Sequence, residues 1–190
     1  MTMMNVNALK EMLTYCRPHG STEVDLFVNR FILTNKDASV DEFGNVVIIV
    51  GADKSLHRNE RSDFLPKTLF TSHVDSVHRV GGRQHVEVDE NGAIRLKKGS
   101  ASNCLGADDA SGVWLMLMMI ECSIEGVYIF HQGEECGGLG SRFIAENYPD
   151  FLSSFDRAIA FDRRGCSDVI THQATGRCCS NDFAAALCDS

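Results

Sequence analysis

Two carboxylates stand side by side at Asp108 and Asp109, between Gly106 and Gly112 and just ahead of the apolar run 113–120. Glycine lets the backbone take unusual dihedrals and approach other groups closely. The pair is therefore expected in a tight loop that opens a buried helix, where unpaired amides and the macrodipole favour negative charge. Taken alone it reads as a helix cap. Three further segments change that reading. His73 and Asp75 lie two positions apart, so one ring nitrogen can bind a metal while a carboxylate fixes the other. Glu134 and Glu135 are adjacent among glycines at 133, 137, 138 and 140. One such carboxylate can hold a metal while its neighbour acts as general base. Asp162 ends an apolar segment, ahead of Arg163 and Arg164. Each segment by itself has a plainer explanation, because charged side chains are mostly exposed and solvated. The order His, Asp, Glu-Glu, Asp is far more specific than any of its parts.

The elements that must position these groups can be read from periodicity. Residues 7–17 carry Leu9, Met12, Leu13 and Cys16 at helical spacing. A second helix follows, with Thr22 and Asp25 as a capping pair and a stripe of Val24, Phe27, Val28, Phe31 and Ile32. Residues 41–45 form a turn, and 46–50 are a β-branched run expected as a strand buried on both faces. Residues 52–67 read as a surface loop. Strand 68–72 runs straight into His73. Segments 86–88 and 94–96 alternate around Asn91-Gly92, which predicts a hairpin. Strand 126–130 leads to His131 and the two glutamates, and a helix near 141–148 is closed by Pro149. Strand 158–161 ends at Asp162, a short strand at 168–171 carries His172, and a helix starts at Asn181. Strands alternating with helices predict an α/β class with a largely parallel sheet. Ligands of such sheets gather beyond the carboxyl ends of the strands. His73/Asp75, Glu134/Glu135 and Asp162 all sit at such ends.

Bulk composition agrees with this chemistry. At 190 residues the chain suits a single domain, 1–190, with a sizeable core. A formal net charge of −8 argues against nucleic acid, which rewards clustered Lys and Arg. No stretch reaches the length of a membrane span, and the polar start lacks the apolar region of a signal peptide. Eight cysteines without C-x-x-C spacing then read as reduced thiols in a cytoplasm.

Segments 71–75, 106–112, 134–141 and 161–162 resemble, in type and order, the co-catalytic zinc exopeptidases: the M28-type aminopeptidases and the related M20 and M42 enzymes. The resemblance spans roughly residues 5–188. It implies a three-layer α/β fold with a mostly parallel, mixed central sheet flanked by helices. It implies two zincs, with His73 on the first, Asp75 behind it, Asp108 bridging both and Asp162 completing the first. Glu135 would bind the second zinc, Glu134 would be the general base, and the Asp108–Asp109 peptide would be cis. Zinc is the default for mixed imidazole and carboxylate ligands, although manganese and cobalt accept the same set. The implied substrate is a peptide or aminoacyl compound.

The chain departs from the pattern in one respect. The family supplies a further histidine to the second zinc from a later strand, whereas here 28 residues follow Asp162 and their one histidine is His172. The expectation is a catalytic domain lacking its C-terminal part, holding one metal well and the second poorly, with an uncovered edge that favours homo-oligomers. Two other readings compete with the aminopeptidase. One is a deacylase or carboxypeptidase of the same superfamily, with Arg163 and Arg164 available to a substrate carboxylate. The other is a metal-binding fragment with little or no catalysis.

Overall fold

The computed structural model describes residues 5–51, 65–165, 167–173 and 176–188. In chain order the elements are α1 (Val6–Met12), β1 (Tyr15–Cys16), α2 (Thr22–Phe27) continuing as a π turn (Val28–Ile32), β2 (Ser39–Val40), β3 (Val46–Val50), β4 (Thr68–His73), β5 (Gly82–Arg83), β6 (Val86–Val88), β7 (Ile94–Leu96) and α3 (Ala107–Glu121). They continue with β8 (Gly126–His131), α4 (Leu139–Asn147), α5 (Pro149–Ser153), β9 (Arg157–Ala160), β10 (His172–Gln173), β11 (Gly176–Arg177) and α6 (Asn181–Cys188).

The central sheet has five strands in the order β2-β3-β8-β4-β9. It is antiparallel across β2-β3-β8 and parallel across β8-β4-β9. Parallel neighbours need crossover connections. Helix α3 lies between β4 and β8 in sequence, and α4 with α5 lies between β8 and β9. This crossover pattern brings the carboxyl ends of β4, β8 and β9 to one edge of the sheet. His73, His131 and the Phe161–Asp162 segment therefore emerge side by side.

Strand β8 explains how the sheet is held. All of Val127, Tyr128, Ile129 and Phe130 are buried, and alternate side chains point to opposite faces. Tyr128 and Phe130 join the larger core with Phe27, Ile32, Val113, Met116 and Ile120. Val127 and Ile129 join Leu69 and Ile144 on the other face. Phe70 stacks on Tyr128 at 5.0 Å and on Phe161 at 6.0 Å, which ties all three parallel strand regions together. Burying one such side chain contributes about 1.5–3 kcal/mol.

Several sequence expectations need correction. Helix 7–17 stops at Met12, because Leu13 caps it and the Thr14 hydroxyl donates to the Glu11 carbonyl. Tyr15 then turns edge-on to Phe27 and Phe31, and Cys16 pairs with Gly82. The apolar spacing persists because helix and strand feed the same core. The cap of α2 is Ser21, whose side chain accepts the Val24 N–H, and not the Thr22/Asp25 pair. Strand β3 is buried on the Val46 and Ile48 side, while Val47 and Ile49 are only partly covered. Pro149 opens α5, where its missing N–H is no loss. Segment 168–171 is not a strand; pairing starts at His172, which faces Arg177 in a small hairpin. The turn at 41–45, the 86–96 hairpin and the helix from Asn181 stand as expected. Most of the 52–67 loop lies outside the described residues. No helix among the described residues is long and apolar enough to cross a membrane.

Candidate metal centre

His73 closes β4 with its ring buried. Its Nδ1 lies 3.1 Å from the backbone carbonyl of Asp75, to which it donates, leaving Nε2 to face the other acids. Nε2 sits 3.0 Å from Asp108 Oδ1 and 3.9 Å from Glu134 Oε2. Burial alone would lower the His73 pKa. The carboxylates of Asp75, Asp109 and Asp162 outweigh it and raise it to about 9.

Asp75 is fully buried, and its carboxylate is otherwise engaged. Oδ1 accepts the Glu134 N–H at 3.0 Å and Oδ2 the Glu135 N–H at 3.1 Å, while Oδ1 stays 3.6 Å from the His73 ring. One side chain thus holds the glutamate turn against the end of β4. Burial would raise its pKa, but the His73 ring and these two amides outweigh burial and hold it below the usual carboxylate range.

The adjacent aspartates divide their labour. Gly106, at φ 74°, turns the chain into α3, and both Asp108 and Asp109 lie outside helical dihedrals, joined by a cis peptide. Asp108 faces outward and exposed toward His73. Asp109 points inward and is buried. Its carboxylate accepts the Ser72 hydroxyl at 2.5 Å, the His73 N–H at 3.2 Å and the Gly112 N–H at 3.0 Å. The Gly112 bond is the helix cap expected of the pair. The other two anchor the strand end that carries His73. Burial, opposed by Ser72 and His73, pushes the Asp109 carboxyl up to about 7. Any side chain at Gly112 would overlap the Asp109 carboxylate and the Phe161 carbonyl. Glycine there lets the end of β9 approach α3 and brings Asp162 to Asp108.

Two groups of ligand atoms result, each with its members within 4.8 Å of one another: His73, Asp108 and Asp162, and His73, Glu134 and Glu135. The first is the trio that the resemblance implies for the first zinc. In the second the imidazole is shared, and Asp108 falls in the first group only. His172 belongs to neither: it is exposed and bonded to the Thr171 hydroxyl at 3.0 Å. Burial raises the pKa of Glu134, Glu135 and Asp162, and neighbouring acids add to it. Glu135 Oε1 is buried and has no hydrogen-bond partner among the described residues. A buried acceptor without a donor, facing an imidazole within a ring of carboxylates, has the donor chemistry of a divalent cation site. The residues fit the metal.

His131 is a neighbour that sequence reasoning left without a role. It pairs with His73 across β4 and β8, and its Nδ1 is buried without a partner among the described residues. Burial, with the charge on His73, lowers its pKa to about 4 against the pull of Asp41. An unfolded histidine titrates near 6.5. The neutral ring therefore contributes stability that is complete above pH 6.5 and lost as pH falls toward 4. The unfolding free energy of metal-free protein is expected to drop over this range by on the order of 2 kcal/mol more than in His131→Phe. Urea unfolding at several pH values checks it; equal pH slopes for the two proteins would remove His131 as the cause.

A cavity of about 560 Å³ opens beside Asp162, between the end of β9 and α6, with Leu115, Phe161, Ile170 and Leu187 in its wall. Arg163, also in that wall, is paired with Asp168 at 3.3 Å.

The sequence matches no family model and no curated protein. Solved structures do match its fold. A tripeptidase from Staphylococcus aureus aligns with TM-score 0.61 and 24% identity over 86% of this chain and 45% of its own. The aminoacylhistidine dipeptidase of Vibrio alginolyticus aligns with TM-score 0.60 and 16% identity over 87% of this chain and 34% of its own. The Pyrococcus horikoshii TET1 peptidase, which can assemble into a tetrahedron or a large octahedral shell, aligns with TM-score 0.54 and 16% identity over 86% of this chain and 70% of its own. The chain spans less than half the length of the first two. Its mixed sheet flanked by helices is the α/β fold of these peptidases.

Proposed function

We propose that this chain is a metal-dependent hydrolase of peptide bonds, of aminopeptidase type, with zinc as its metal. The observation that carries the reading is the convergence of His73, Asp108, Asp162, Glu134 and Glu135 from four chain segments, with a buried Glu135 oxygen left without a partner. His73, Asp108 and Asp162 would hold the first ion, and Glu135 would contribute to the second. Bound zinc supplies Lewis acidity, which polarises a scissile carbonyl and acidifies water.

The remaining chemistry belongs to the chain. Glu134, with its pKa raised by burial, is suited to take a proton from water and return it to the leaving amine. Asp75 fixes the backbone of Glu134 and Glu135, so the base and the neighbouring carboxylate keep one spacing. Asp109 and Ser72 keep the strand end that bears His73 in place. The apolar cavity beside Asp162 offers room for a substrate side chain. A carboxypeptidase or deacylase would need a free cation for the substrate carboxylate; Arg163 is paired with Asp168, whereas Arg164 is exposed, so the substrate panel below separates these readings. Among the described residues strand β9 is an edge of the five-stranded sheet, with mostly exposed residues, so self-association through that edge completes the reading.

A panel of aminoacyl-anilides, short peptides and N-acyl amino acids, assayed with zinc and after chelation, tests it. Release of N-terminal residues that chelator abolishes and zinc restores is expected. Turnover confined to N-acyl amino acids would shift the reading to a deacylase, and turnover indifferent to chelation would end the metal-dependent one.

A further inference from the structure

Arg17 is completely buried although it carries a charge. No carboxylate is hydrogen-bonded to it among the described residues. Its Nε donates to the Val74 carbonyl at 2.8 Å, and one terminal nitrogen donates to the Gly106 carbonyl at 2.9 Å. The other terminal nitrogen lies 3.5 Å from the Met12 carbonyl and 3.4 Å from that of Tyr15. The guanidinium also sits 4.5 Å from the centre of the Phe27 ring. Val74 lies between His73 and Asp75, and Gly106 lies two residues before Asp108. One planar fork therefore bridges the two turns that carry three of the acidic and imidazole groups.

The surrounding segment strengthens the bridge. The Arg17 carbonyl accepts the Ser76 N–H at 2.9 Å. His78 accepts the Ser76 hydroxyl at 2.7 Å through Nδ1 and donates through Nε2 to Gln84 at 3.2 Å. Gln84 in turn donates to the Leu13 and Leu105 carbonyls at 2.7 and 2.9 Å. Two residues on from Arg17, the His19 ring packs on Gly133, which immediately precedes Glu134. The loop after β1 thus touches three of the four segments that bear candidate ligands.

A buried charge is expensive to desolvate, and a neutral side chain could fill this volume at lower cost. What only a guanidinium offers is several N–H donors in fixed geometry, able to hold two carbonyls on different segments at a set separation. Its charge also stands behind a cluster of carboxylates. Burial lowers the Arg17 pKa to about 10, and Asp109 and Asp75 oppose that shift, so the group stays protonated at neutral pH.

We propose that Arg17 is a positioning residue of the metal centre, clamping the His73–Asp75 turn to the Gly106–Asp108 turn so that their ligand atoms meet. The inference rests on the metal-binding reading above. Its test uses cobalt(II) as probe, in titrations followed by calorimetry and by visible absorption, on wild type, Arg17→Lys, Arg17→Met and Ile144→Val. Ile144 is buried on the opposite face of the sheet, so its variant loses stability without touching the clamp. Arg17→Lys keeps the charge but replaces the planar fork by a single ammonium, which cannot hold the two carbonyls at the same separation. At least tenfold weaker cobalt binding and an altered absorption spectrum are expected in both Arg17 variants, with neither change in Ile144→Val.

Wild-type affinity and spectrum in Arg17→Lys and Arg17→Met would overturn this role alone. Equal weakening in Ile144→Val would reduce the effect to general stability and overturn it as well. Absence of cobalt binding by wild type would sink the metal reading and this inference together. Should both Arg17 variants fail to fold, the Arg17 Nε–H resonance of the wild-type protein decides. It is expected to shift and gain exchange protection as zinc is added, and an unmoved resonance on a zinc-loaded protein would overturn the clamp.

Discussion

Replacing His73 by alanine is expected to empty the first metal position. Its Nε2 is the one nitrogen among the candidate ligand atoms, and its single lone pair serves one ion. Without it, Asp108 and Asp162 remain at that position, with Glu134 and Glu135 beside it, all carboxylates. Four acids without an imidazole suit hard cations better than zinc. Loss of a partner that merely orients a ligand weakens metal binding roughly 10–100-fold, and loss of the ligand itself should exceed that. Metal content after equilibrium dialysis, by plasma mass spectrometry, is expected to fall close to background in His73→Ala. Circular dichroism of the metal-free proteins separates this from unfolding: the emptied ring site should cost about 1–3 kcal/mol, within the range of ordinary core substitutions. Wild-type zinc content in a folded His73→Ala would mean that the metal is held elsewhere.

Glu134→Gln is expected to separate catalysis from binding. The Glu134 backbone N–H, not its side chain, is what Asp75 holds, so the isosteric amide leaves the turn in place. Glu135 keeps its own bond to Asp75 and its buried oxygen. What disappears is the carboxylate that can accept a proton. General base catalysis contributes typically 10²–10⁴-fold, and kcat on an aminoacyl substrate should fall by about that factor while zinc content stays level. KM should change little, because no binding group is removed. Undiminished turnover would move the base to another carboxylate, with buried Asp109, titrating near 7, the next to test.

The main lines of the fold were legible because two signals are local. Strand runs such as 46–50 and 126–130 need no knowledge of their partners, and strand ends bearing His73, Glu134 and Asp162 can be placed at one edge once the strands are taken as parallel. That inference holds where it matters, across β8-β4-β9. It does not extend to β3, which pairs antiparallel with β8. A run such as 46–50 fits either direction, because the side-chain alternation of a strand does not encode the direction of its neighbour. The helix assigned to 7–17 overran for a similar reason: Leu13, Tyr15 and Cys16 are buried in a turn and a strand as fully as they would be in a helix.

From the sequence came the candidate groups: imidazole and carboxylate side chains at the ends of elements, in an order that resembles metal-dependent peptidases. Tertiary structure alone decided how those groups are held. Which aspartate of the 108–109 pair turns inward depends on Ser72 and Gly112, separated in the chain but adjacent in space. Asp75 proves to be the clamp on the glutamate turn across about sixty residues of chain. Arg17, read as the end of a helix, bridges turns up to 89 residues away. Local patterns report which face of an element is apolar and what its ends carry. Hydrogen bonds between distant segments leave no period in the sequence, and those bonds set the separations on which the site depends.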